Sequence, residues 1–151
     1  MKLAEALQEQ ADLNRKIEEL GARLRNNCLT QEGEKPEEDP VALLTELDAC
    51  VRRLEKLMAG INLANCATGV DGRTLTELIA EKDSLNVKLS HYKNVIHTAS
   101  QKTQRATRSE IRILSCVDVS DLQKQADAMA RRLRELDNTL QQCNWTTDVE
   151  I

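Results

Sequence analysis

The sequence predicts a mainly α-helical protein, an antiparallel up-down four-helix bundle or coiled coil with a short two-stranded β-ribbon at one end. Three observations carry this. Four long segments repeat apolar residues every three and four positions, the spacing that keeps one face of an α-helix dry. Five glycines and two prolines in 151 residues are too few for the turns of an all-β fold. Aromatic residues make up 1% (one Trp, one Tyr), which removes the cross-strand aromatic pairs that sheets use. With 40% hydrophobic and 30% charged residues the chain reads as a single helical domain over 1–151.

The first helix is expected over 2–27, striped by Leu3, Ala6, Gln10, Leu13, Ile17, Leu20 and Leu24. The second, over 40–66, has Leu44, Leu47, Val51, Leu54, Met58 and Ile61 as its seam. Leu43, Cys50 and Leu57 widen that stripe enough to face two neighbours, or one neighbour and a second subunit. The third, over 75–103, is striped by Leu75, Leu78, Lys82, Leu85, Leu89, Tyr92, Ile96 and Ala99. The fourth, over 121–143, uses Leu122, Ala126, Met129, Leu133, Leu136, Leu140 and Cys143, and a polar tail follows over 144–151. Gln10 and Lys82 are polar seam residues of the kind that fix register. Asp12–Lys16 and Arg131–Glu135 are spaced as exposed ion pairs.

The boundaries have their own chemistry. Asp39 is an N-cap with Pro40 at the first helical position, where no N–H is needed. Thr74 with Glu77, and Ser120 with Gln123, match capping boxes, and Asp71-Gly72 makes a turn. In an up-down arrangement residues 28–39 and 104–120 meet at one end of the bundle. Cys28–Gln31 and Ile111–Val117 are the most strand-like runs and are expected to pair there as the ribbon.

Two polar clusters are candidate sites. At the first end the acidic run with Glu32 and Glu34 faces a basic run with Arg105 and Arg108. The two runs read either as structural ion pairs or as a site for a phosphate or carboxylate. At the other end stand Asn62, Asn65, Arg73, Asn144 and Trp145. The structural reading has Trp145 plugging the base of the core, and the functional one has it walling a polar pocket.

Net charge is −4, a poor start for nucleic-acid binding. The opening MKLAEALQEQ is too polar for an export signal, and no stretch approaches 18 apolar residues, so no membrane partner is expected. Five scattered cysteines without CxxC read as reduced thiols in the cytoplasm. His91 and His97, six apart, point to different sides of a helix, so neither a metal site nor a cofactor is expected. Phosphate-loop, zincin, nucleophile-elbow and kinase signatures are missing, which argues against an enzyme.

MKLAEAL, QEGEKPEEDP (31–40), DGRTLTEL (71–78), RSEI (108–111), VDVSDLQKQAD (117–127) and NWTT (144–147) together resemble a septicolysin-like family of small bacterial proteins. The resemblance spans nearly the whole chain and implies a helical bacterial protein, with no catalytic residues to carry over. The expected behaviour is that of a homo-oligomeric structural or interaction module. The alternatives are a small anionic-ligand-binding protein or enzyme using a polar end, and, less favoured, the membrane-active protein that the family label suggests.

Overall fold

A computed structural model describes residues 1–101 and 111–151. Their order is α1 (Leu3–Asn27), α2 (Pro40–Ala67), β1 (Gly69–Val70), β2 (Arg73–Thr74), α3 (Leu75–Ala99) and α4 (Val119–Thr146). The fold is mainly α with a short antiparallel ribbon. The chain divides into two compact units, residues 1–74 with 142–151, and residues 75–141.

In the first unit α1 and α2 form an antiparallel hairpin. Leu20, Leu43 and Cys50 are buried at its centre, with Leu13, Ile17, Leu24 and Leu47 packed around them and partly buried. Leu57 and Ile61 continue the buried row along α2. The row that packs is therefore Leu43–Cys50–Leu57. The expected seam residues Leu44, Val51 and Met58 stay 49%, 47% and 47% exposed. The two rows are one residue, or 100°, apart and share Leu47, Leu54 and Ile61, so periodicity alone does not choose between them.

Asp39 caps α2 as expected, its Oδ1 accepting from the Val41 N–H at 3.0 Å, with Pro40 in the first turn. At the other terminus the Lys2 N–H donates to the Glu5 carboxylate at 2.7 Å. The expected polar tail is a structural element. Helix α4 runs three residues further, to Thr146, and the chain then crosses the N-terminus. The Leu3 N–H donates to Thr147 O at 2.9 Å and the Val149 N–H to Met1 O at 2.8 Å, while Lys2 pairs with Asp148. Val149 is only 4% exposed. Gly60 makes this possible: a Cβ there would stand 2.8 Å from Glu150 O and 2.9 Å from Val149 Cγ1.

The ribbon is not where the strand-like runs suggested. Residues 28–31 and 111–117 are not strands; the pair is Gly69↔Thr74 and Val70↔Arg73. Its two-residue turn is Asp71-Gly72, both at positive φ (51° and 81°), the conformation that joins tight hairpins.

In the second unit α3 and α4 run antiparallel around Leu89, Ala126 and Met129, with Leu85, Tyr92, Ile96 and Leu133 packed on them. The Arg132 guanidinium grips Glu81 at 2.8 and 2.9 Å. The seam residue Lys82 reaches Asp137 at 2.6 Å, an ion pair between α3 and α4. Helix α4 begins at Val119 rather than 121. The cap is Asp118, whose Oδ1 accepts from the Asp121 N–H at 3.1 Å, and Ser120 lies inside the helix. Helix α3 stops at Ala99, short of the expected 103.

Candidate functional site

The α1–α2 hairpin has two different long sides. On one, three ion pairs cross the seam one after another. Glu9 receives Arg53 Nε at 2.6 Å and Nη2 at 2.9 Å, Lys16 meets Glu46 at 2.7 Å, and Arg23 grips Glu38 through Nε at 3.0 Å and Nη2 at 2.5 Å. Glu9, Lys16 and Arg23 are seven apart on α1, so they stand in one row beside the apolar stripe. Hydrogen bonds from the cations hold the Glu9, Glu38 and Glu46 carboxyls below their ordinary range. The same bonds hold the Lys16, Arg23 and Arg53 cations above theirs.

These pairs were not expected. Asp12, assigned to Lys16, pairs with Arg15, and Lys16 crosses to α2. Glu135, assigned to Arg131, lies 3.8 Å from Arg132. Rows of charge seven residues apart beside a stripe were the signal available in the sequence.

On the opposite side of the hairpin the rows next to the apolar stripe are uncharged, with Asp48 and Glu55 of α2 and Arg25 of α1 beyond them. On α1 it carries Gln10, Ile17 and Leu24, one residue round from the charged row, and on α2 it carries Leu44, Val51 and Met58. The α1 row is half-buried against its neighbour helix and the α2 row is about half exposed. Gly21 lies on this side too, and a Cβ there would meet only the Arg25 guanidinium, at 3.6 Å.

At the hairpin tip, Asn27 is buried and both ends of its amide are used. Nδ2 donates to Arg23 O at 2.8 Å, and Oδ1 accepts from the Glu38 N–H at 3.0 Å, which ties the acidic loop to α1. A polar hollow of about 460 Å³ opens there, lined by Arg23, Asn27, Lys35 and Glu34 among others. Glu34 thus lies in a concavity, while Glu32 is exposed beside it. Arg105 and Arg108, their expected counterparts, lie outside the described residues.

The second expected cluster falls entirely within the first unit. Asn62 and Asn65 are on the last turns of α2, Arg73 on β2, and Asn144 and Trp145 on the last turn of α4. Trp145 is 54% exposed and does not plug the core; Val149, four residues on, is the buried residue. Within the second unit an apolar hollow of about 460 Å³ lies between the end of α3 and residues 113–117, with Val95, Ala99, Ile113 and Leu114 on its walls.

Among the described residues no helix is long and apolar enough to cross a membrane. No group of three or more His, Cys, Asp or Glu among them could hold a metal ion.

A comparison with curated proteins finds no match. The fold matches the crystal structure of a functionally unknown conserved protein from Corynebacterium diphtheriae. The two are 33% identical, covering 99% of each chain, with a TM-score of 0.92. The model of a family of unknown function, DUF6847, matches residues 10–149, and with that extent of agreement the chain belongs to this family.

Proposed function

We propose that the protein is a homo-oligomeric structural or interaction module of the cytoplasm. The observation that carries this reading is the incompleteness of two-helix packing. A pair of antiparallel helices covers each apolar stripe from one direction only. Leu13, Ile17, Leu24 and Leu47 touch the buried centre of the first hairpin yet remain partly accessible. Leu85, Tyr92 and Ile96 do the same in the second. Further helices supplied by other copies would complete both cores and extend their coiled-coil packing. The free thiols of Cys28, Cys50, Cys116 and Cys143 support a reducing compartment.

Sedimentation equilibrium combined with light scattering tests the reading on the full chain. A mass of at least two chains at micromolar concentration is the expected result. A strict monomer across that range overturns it.

A further inference from the structure

We infer that residues 148–151 form a strap hinged at Thr147, which opens and closes as one unit while α1, α2 and α4 stay formed. The inference is independent of the oligomeric reading above.

The strap is anchored by one buried side chain. Val149 is 4% exposed, whereas Asp148, Glu150 and Ile151 around it are exposed. Two main-chain bonds fix this stretch to the start of α1: the Leu3 N–H donates to Thr147 O at 2.9 Å and the Val149 N–H to Met1 O at 2.8 Å. The Lys2–Asp148 pair beside them is exposed on both sides and adds little.

Both main-chain bonds lie outside the helix ladders. Rotation at Thr147 turns its carbonyl away from Leu3 and carries residues 148–151 with it, while the Thr147 N–H keeps its bond to Cys143 O on the last turn of α4. The Ala6 N–H keeps Lys2 O, and the Lys2 N–H keeps the Glu5 carboxylate, so the first turn of α1 retains bonds of its own. On α2 the strap lies over Gly60. A Cβ there would stand 2.8 Å from Glu150 O, 2.9 Å from Val149 Cγ1 and 3.2 Å from Ile151 Cγ1. Glycine weakens a helix interior, and what it allows here is the close seating of the strap.

A segment held by one buried side chain and two such bonds opens at a lower free energy than the hairpin it lies on. Opening has a definite structural consequence. Leu3 begins α1, and its N–H is one of the early donors that have no partner inside a helix; Thr147 O supplies that partner. Lifting the strap uncovers the Gly60 face of α2 and leaves the Leu3 N–H and the Met1 carbonyl as an unpaired edge. The tail and the start of α1 therefore lose protection together.

Amide hydrogen exchange on the full chain, resolved by NMR, tests this in wild type, Gly60→Ala and Val149→Ala. In wild type the Leu3 and Val149 amides are expected to share one protection factor, insensitive to low urea because little surface is exposed, and about a hundredfold below that of Leu20 and Cys50 at the hairpin centre. In both variants Leu3 and Val149 should exchange within about tenfold of an unstructured peptide, while Leu20 and Cys50 stay protected by about a thousandfold or more. Val149→Ala leaves α2 unaltered and decides the matter if Gly60→Ala disturbs that helix. Leu3 and Val149 exchanging only as slowly as Leu20 and Cys50, or at protection factors unrelated to each other, overturns the inference. So does a variant in which strap and hairpin centre lose protection by the same factor.

Discussion

Replacing Gly60 by alanine tests whether the C-terminal tail is part of the core. Two opposing effects follow from the structure. In a helix interior alanine is favoured over glycine by about 1 kcal/mol, so helix propensity predicts stabilisation. Against that, the new Cβ would stand 2.8 Å from the Glu150 carbonyl and 2.9 Å from Val149 Cγ1, and a backbone oxygen cannot swing aside as a flexible side chain can. The tail must lift. Val149, now 4% exposed, then loses much of a burial worth about 1.5–3 kcal/mol, and its N–H bond to Met1 O, about 1 kcal/mol net, goes with it. The sum is a destabilisation of about 1–2 kcal/mol, measured by urea unfolding at fixed protein concentration with circular dichroism. Gly21→Ala is the control: its Cβ meets only the Arg25 guanidinium, at 3.6 Å, so it is expected to stabilise by about 0.5–1 kcal/mol. In a chain shortened to end at Thr147 the sign at residue 60 should reverse, giving a gain of about 1 kcal/mol. If Gly60→Ala and Gly21→Ala stabilise the full chain alike, the tail does not pack on α2 and the reasoning fails.

Three further outcomes are expected. Asn27→Leu leaves the Glu38 N–H and the Arg23 carbonyl without their buried partner and should cost about 1–2 kcal/mol in the same unfolding assay, with the tip loop becoming susceptible to proteolysis. Glu9, Glu38 and Glu46 have carboxyl pKa values below the ordinary 4.5, so the stability they contribute is fully present above that value and is lost as pH falls beneath it. Acid titration of Glu38→Gln should therefore show a shallower fall than wild type. The Lys16 pKa lies above its ordinary 10.5, so its contribution persists below that value and disappears only as pH rises past it. Raising ionic strength should screen the exposed ion pairs and lower hairpin stability slightly, as unfolding in graded NaCl would record.

Much of the fold was legible because burial follows periodicity. On α1, α3 and α4 every residue of the expected stripes is buried or half-buried, down to Lys82, which pairs with Asp137. The Asp39-Pro40 start of α2 was also readable, since a cap and a missing N–H act locally. What failed depended on choices between near-equal local options. Asp118 and Ser120 can both accept a capping bond, and the longer-reaching carboxylate, two residues earlier, takes it. Ile111–Val117 has strand-like composition but no partner strand among the described residues, whereas Asp71-Gly72 needs only its own positive φ angles to fold the chain back. Trp145 looked like the natural plug by size. The buried residue there is Val149 instead, and Gly60, with no Cβ, lets its backbone lie against α2.

The candidate surface was half legible for a related reason. A helix stripe two rows wide on α2 announced that more than one neighbour was wanted, but the hydropathy of Leu43–Cys50–Leu57 and of Leu44–Val51–Met58 is too similar to say which row faces inward. The deciding information is in the charges of α1. Glu9, Lys16 and Arg23 form one flank of its stripe and Gln10, Ile17 and Leu24 the other. Cross-helix pairs form only if the charged flanks of both helices lie on the same side, and Glu46 and Arg53 fix where that side is on α2. Rotating α2 so that they reach Lys16 and Glu9 turns Leu43 and Cys50 into the buried centre with Leu20 and leaves Val51 on the far flank. The ion pairs add little stability as exposed bridges, but they mark the flank of each helix that lies away from its exposed apolar row. On α2 the charged row Glu46–Arg53 and the apolar row Leu44–Val51–Met58 thus stand on opposite sides of the buried row Leu43–Cys50–Leu57.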